Sequence, residues 1–130
     1  MKKNLITVLL VFIIPLVAYF VLNKSVDNPV NVADATTNKP QVIKFTSAMC
    51  LDCQEMNKIM KEIFPKYQDR ILLIEIPVQD GKAFTQEQIK KYNVTLVPTI
   101  ILLDSNGKQV KRIEGAIPKE EMESYLEGLK

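Results

Sequence analysis

Two short runs, Arg70-Ile-Leu-Leu-Ile-Glu-Ile76 and Thr99-Ile-Ile-Leu-Leu103, are almost continuously apolar. Runs of that length, rich in β-branched residues, read as strands covered on both faces. The chain must then supply helices to cover them, and the stretches around them do so. Gln41–Thr46 is a shorter β-rich run. From Cys50 to about Tyr67 the apolar residues Met56, Ile59, Met60, Ile63, Phe64 and Tyr67 recur at three and four, a helical period, with Pro65 bending its end. Thr85 to Tyr92 reads as a short helix with Thr85 as its cap and Gln88 three residues on. Asp104-Ser-Asn-Gly107 is a turn, Gln109–Glu114 returns as a hairpin strand, and Pro118 opens a last helix that ends at Gly128. The order β-α-β-α-β-β-α predicts a parallel core with right-handed crossovers, to which the final hairpin adds antiparallel strands at one edge.

Ahead of this domain, residues 5–22 are apolar, broken only by Thr7 and Pro15, and come after Lys2 and Lys3. Eighteen residues of helix reach roughly 27 Å, close to the ~30 Å hydrocarbon core. Residues 1–22 therefore read as an uncleaved signal anchor, a single-pass transmembrane helix. The alternative is a cleaved signal peptide, whose best small-x-small site, Ala33-Asp34-Ala35, lies well past the apolar end. Both readings export the C-terminal domain. The basic start favours a cytoplasmic N-terminus, which puts that domain on the extracytoplasmic side of the cytoplasmic membrane. Residues 23–39 are polar and without period, and read as a tether. The domain is then residues 40–130.

Composition removes several function classes. From Pro40 onward thirteen Lys/Arg face thirteen Asp/Glu, so no basic surface for nucleic acid is indicated. The chain has no histidine. That excludes His-dependent hydrolases and most zinc enzymes.

The only two cysteines, Cys50 and Cys53, lie in Phe45-Thr-Ser-Ala-Met-Cys-Leu-Asp-Cys53, where a strand gives way to a helix. A helix N-terminus offers free N–H groups and positive partial charge, which favour a thiolate at Cys50. Cys53, one turn on, is within disulfide reach. A nucleophile with a resolving thiol one turn away suits reversible dithiol exchange. Three other uses remain open. A zinc site lacks ligands. A copper(I) site could combine both thiolates with Met49 or Met56. A purely structural disulfide would close too small a loop to restrain the unfolded chain.

Residues 41–130 resemble the thioredoxin fold. The resemblance rests on the strand Val42-Ile-Lys-Phe45, Cys50-Leu-Asp-Cys53, Val97-Pro-Thr99 before a core strand, the Ser105–Gly115 hairpin and the closing amphipathic helix. It implies a central mixed sheet flanked by helices and a thiol–disulfide oxidoreductase. Cys50 would be the nucleophile, Cys53 the resolving thiol, and Pro98 a cis proline facing them. Val97 would present its backbone to a substrate peptide, and Gly115 would lie near the active surface. Local sequence alone favours a trans bond at Pro98. Together with its anchor, the chain is similar to membrane-tethered thioredoxin-like proteins of bacteria.

The chain departs from the family pattern at named positions. Met49 stands where the family often has Trp, as a substrate-facing hydrophobe or a packing residue. Leu51 and Asp52 fill the space between the cysteines. Asp52 is either a solvated loop carboxylate of small effect, or it disfavours the Cys50 thiolate, which would point to a reductant. Lys44 stands where a buried carboxylate often assists the second cysteine. Either it snorkels to the surface, or its amine lies near Cys53 and replaces that carboxylate. No organic cofactor is expected, because the dithiol carries the electrons. The expected partners are disulfide-containing client proteins and a membrane thiol-electron transporter that recharges the pair. The leading alternative is a copper-binding or copper-delivery protein using the same cysteines.

Overall fold

The computed structural model describes residues 11–15, 17 and 38–130. Most of the expected anchor over 1–22 and of the expected tether over 23–39 lies outside these. Residues 11–15 and 17 are helical and exposed. Among the described residues no helix is long and apolar enough to cross a membrane. Residues 38–130 belong to one compact unit.

Strand β1 (Gln41–Thr46) and strand β3 (Thr99–Leu103) are the buried centre of a four-stranded sheet. Strand β2 (Leu72–Pro77) and strand β4 (Gln109–Glu114) are its edges, in the order β2-β1-β3-β4. β1 pairs with β2 in parallel, whereas β3 runs antiparallel to both β1 and β4. The fold class is the mixed α/β sheet expected, but the parallel core is confined to one pair. The register gives the reason. Ile76 and Thr99 both lie opposite Phe45, so the segment joining β2 to β3 leaves and rejoins the sheet at the same end. A chain that returns to the end it left must run back the other way.

The expectation that the 70–76 run is covered on both faces also needs correction. As an edge strand β2 alternates, with Ile74 and Ile76 buried and Glu75 and Pro77 exposed, and Leu72 at its start is 36% exposed. Its apolar continuity reflects partial cover by helices on either side, and not a central place.

Helix α1 (Leu51–Ile63) runs into a 3₁₀ turn, Phe64–Lys66, where Pro65 ends the α-helical pattern. Met56, Met60, Ile63 and Tyr67 bury one face of this element against Val42, Ile100 and Leu102. Helix α3 (Lys119–Gly128) closes the same face with Met122 and Leu126. Helix α2 (Ala83–Lys91) covers the other face, where Ile43, Phe45, Ile74, Ile76, Ile101 and Leu103 pack. It starts two residues before the expected Thr85. Asp80 supplies the start: its carboxylate accepts from the Lys82 N–H and from the Thr85 hydroxyl, each at 2.9 Å. Thr85 thus lies inside the first turn as a donor, and is not the cap. In the 104–107 turn the Asp104 carboxylate accepts from the Asn106 and Lys108 N–H groups, and Gly107 takes a φ of 76°.

Candidate active site

β1 ends at Thr46, and a short turn leads to Cys50 at the cap of α1. Cys50 keeps extended backbone (φ −101°, ψ 122°), as a cap residue should. Its sulfur does what a capping oxygen usually does: it accepts the Cys53 backbone N–H at 3.2 Å. The same thiol donates to the Val97 carbonyl at 3.5 Å. Cys50 is partly exposed and Cys53 fully buried, and both are free thiols.

The Val97–Pro98 peptide is cis, as the resemblance implied and local sequence did not. Pro98 is buried, and its carbonyl accepts the Gly115 N–H at 2.9 Å. Gly115 adopts a φ of 83°, the left-handed region that favours glycine. Five of the expected site residues therefore meet at one end of the sheet: Cys50, Cys53, Val97, Pro98 and Gly115. Met49 and Leu51 flank Cys50 and stand out into solvent, 86% and 79% exposed. That exposure removes the packing role for Met49. Asp52 is exposed in the first turn of α1. Met56, the second thioether considered for copper, is buried, and its sulfur accepts the Ile117 N–H at 3.4 Å.

Burial pushes the Cys53 thiol up from its ordinary range, and a hydrogen bond with Cys50 adds to that. The Ser47 backbone N–H and the Thr46 hydroxyl act the other way, because both favour negative charge on the sulfur.

Lys44 does not snorkel. Its side chain is 1% exposed, its ammonium donates to Asn57 Oδ1 at 2.6 Å, and it forms an ion pair with Glu75. Glu75 and Asn57 were not singled out from the sequence. The parallel register that sets Lys44 opposite Glu75 was the signal available for the first. The arrangement can carry two electrons, since an accessible nucleophilic sulfur and a shielded second thiol one turn away can interconvert between dithiol and disulfide.

Comparison with known proteins agrees. A family model described as a thioredoxin-like domain matches residues 30–130. The chain is 29% identical over 91 residues to thioredoxin Y, chloroplastic, of Oryza sativa subsp. japonica, covering 70% of this chain and 51% of that protein. It is 29% identical over 103 residues to the thiol-disulfide oxidoreductase ResA of Bacillus thuringiensis subsp. konkukian, covering 65% of this chain and 60% of that one. It thus spans about half of the first relative and three fifths of the second. Thioredoxin O2 from Arabidopsis thaliana, solved in its oxidised state, superposes with a TM-score of 0.60 at 26% identity, over 71% of this chain and 76% of that one. The chain belongs to the thioredoxin-like domain family.

Proposed function

We propose that the protein reduces disulfides of client proteins on the extracytoplasmic side of a bacterial cytoplasmic membrane, held there by residues 1–22. The observation that carries the chemistry is the division of labour between the two sulfurs. Cys50 is reachable and receives an N–H hydrogen bond, and Cys53 is fully buried behind it. The Cys50 thiolate attacks a client disulfide and forms a mixed disulfide. Cys53 then attacks the Cys50 sulfur, the reduced client leaves, and the pair remains oxidised. A client strand lying along Val97 and Pro98 would bring its disulfide to Cys50. Exposed Met49 and Leu51 would meet its apolar side chains. The couple needs no organic cofactor, and a membrane thiol-electron transporter would return it to the dithiol. The exported location is supported by the apolar sequence after Lys2 and Lys3.

The test is the reduction potential of the Cys50–Cys53 couple, read from the oxidised fraction across a dithiothreitol or glutathione series. A reductant gives a value near −270 mV, roughly that of thioredoxin; a value near about −120 mV marks a disulfide donor and overturns the direction proposed. Absence of any reversible couple overturns the activity itself.

A further inference from the structure

Thr46 is the last residue of β1, and its hydroxyl oxygen is buried without a hydrogen-bond partner among the described residues. Alternation along β1 sets it on the same face as Val42 and Lys44, the face that α1 covers. α1 doubles back over β1, so positions on the two elements can be matched. Asn57 lies over Lys44, in hydrogen-bond contact. One turn back along α1, about 6 Å, is Cys53; two residues forward along β1, about 6.6 Å, is Thr46. The two steps match, so the buried hydroxyl and the buried thiol face each other as Lys44 and Asn57 do. The Thr46 hydroxyl and the Ser47 N–H both favour negative charge on the Cys53 sulfur.

We propose that Thr46 is a positioning residue for the second step of exchange: its hydroxyl donates to the Cys53 thiolate as that sulfur becomes the nucleophile. In that step the Cys53 thiol loses its proton to solvent. Its sulfur bonds to the Cys50 sulfur, the bond between Cys50 and the client sulfur breaks, and the client thiolate leaves with the electron pair and takes up a proton. A fully buried sulfur cannot call on water to stabilise its charge, so a donor already in place lowers the barrier. The other groups facing this side are the Cys50 thiol on α1 and the Lys44–Glu75 ion pair across β1 and β2. The ion pair is untouched in every variant used to test Thr46.

The inference rests on the dithiol-exchange reading of the site, and two measurements let them fail separately. The first titrates Cys53 alone by ultraviolet thiolate absorbance in a Cys50→Ser background. Adding Thr46→Val shifts the midpoint up by about one pH unit, the loss of one hydrogen bond to a charged group; adding Thr46→Ser restores it. The second loads Cys50 with an aromatic thiol as a chromogenic mixed disulfide and follows its release by Cys53 against pH. Thr46→Val slows release about tenfold below the midpoint, converges with wild type above it, and leaves the loading rate of Cys50 unchanged. Thr46→Ala takes the place of valine if the latter does not fold. An unchanged titration, or a slowing equal at all pH, overturns the role of Thr46. Failure of the unsubstituted protein to release the aromatic thiol overturns the exchange reading instead, and the titration still decides Thr46.

Discussion

The two faces of the sheet are built differently. The face under α2 packs Ile43, Phe45, Ile74, Ile76, Ile101 and Leu103, with neutral polar groups such as Gln41 and Thr99 at its ends. The face under α1 and α3 has an equally apolar body, yet β1 also sends Lys44 and Thr46 into it, and α1 adds the buried thiol of Cys53. One strand alternates between the two, so neighbouring residues of β1 serve different ends. Hydrocarbon on one side gives stability without chemistry. A buried charge and a buried thiol on the other would serve the proposed chemistry, at a desolvation cost that must be offset locally. Substitutions on the two faces should therefore separate activity from stability.

The largest effect should come from the chemical face. Cys50→Ser removes the accessible sulfur and should abolish reduction of a protein disulfide such as that of insulin, while the urea midpoint stays near wild type. Cys53→Ser should instead trap the client as a mixed disulfide visible on a non-reducing gel. Residual turnover in either variant would mean that the pair does not act as proposed. Phe45→Ala tests the opposite face. Phe45 is fully buried, and its ring meets Tyr92 edge-on at 6.0 Å between centroids. Its loss should cost about 3–5 kcal/mol in urea unfolding, with exchange per folded molecule preserved. A loss of activity in the folded fraction would show that the two faces are coupled.

The Lys44–Glu75 pair sharpens the comparison, because its members are buried unequally, 1% against 54% exposed. Lys44→Met leaves Glu75 at the surface in water and fills the space with a similar apolar volume, so stability should change by no more than about 1 kcal/mol. Glu75→Gln leaves the ammonium buried with Asn57 as its remaining partner, and should cost more, about 3 kcal/mol. The reverse order would mean that the pair is held by its exposed member. In the exchange assay Lys44→Met should also slow release by Cys53 if the ammonium assists that sulfur; an unchanged rate removes it from the mechanism.

Much of this was legible in the sequence, for reasons that differ by residue. The element order comes from periodicity, and the cysteine pair from its place between a strand and a helix. The strand neighbours were less legible. Composition marks Arg70–Ile76 as apolar, but adjacency is set by where the segment after Pro77 returns to the sheet. Thr85 looks like a cap because Ser and Thr usually are, and the oxygen that does the work belongs to Asp80. Lys44 defied its type, since a lysine is buried only with partners and its partners are distant in sequence. Thr46 carried no motif at all. Its place is visible only once α1 is laid back along β1.

The smallest expected effect is the pH dependence of stability. Burial raises the Cys53 thiol above its ordinary value of 9.0. As pH climbs past that value, the unfolded chain releases this proton while the native state keeps it. The unfolded state then binds fewer protons, so stability falls with rising pH, by at most about 1.4 kcal/mol per pH unit from this one group. Below the ordinary thiol range both states hold the proton and the effect vanishes. Tyr67 and Tyr92 are also raised by burial from 10.0 and act in the same sense at higher pH. The measurement is therefore a difference: urea unfolding of the reduced protein and of Cys53→Ala across the alkaline range. The reduced protein should lose stability faster once pH exceeds the thiol value, and the variant should lack that part of the slope. Parallel curves would mean that Cys53 ionises as easily in the fold as out of it. The face under α1 would then impose no desolvation cost on its buried thiol, and the contrast between the two faces would reduce to the lysine alone.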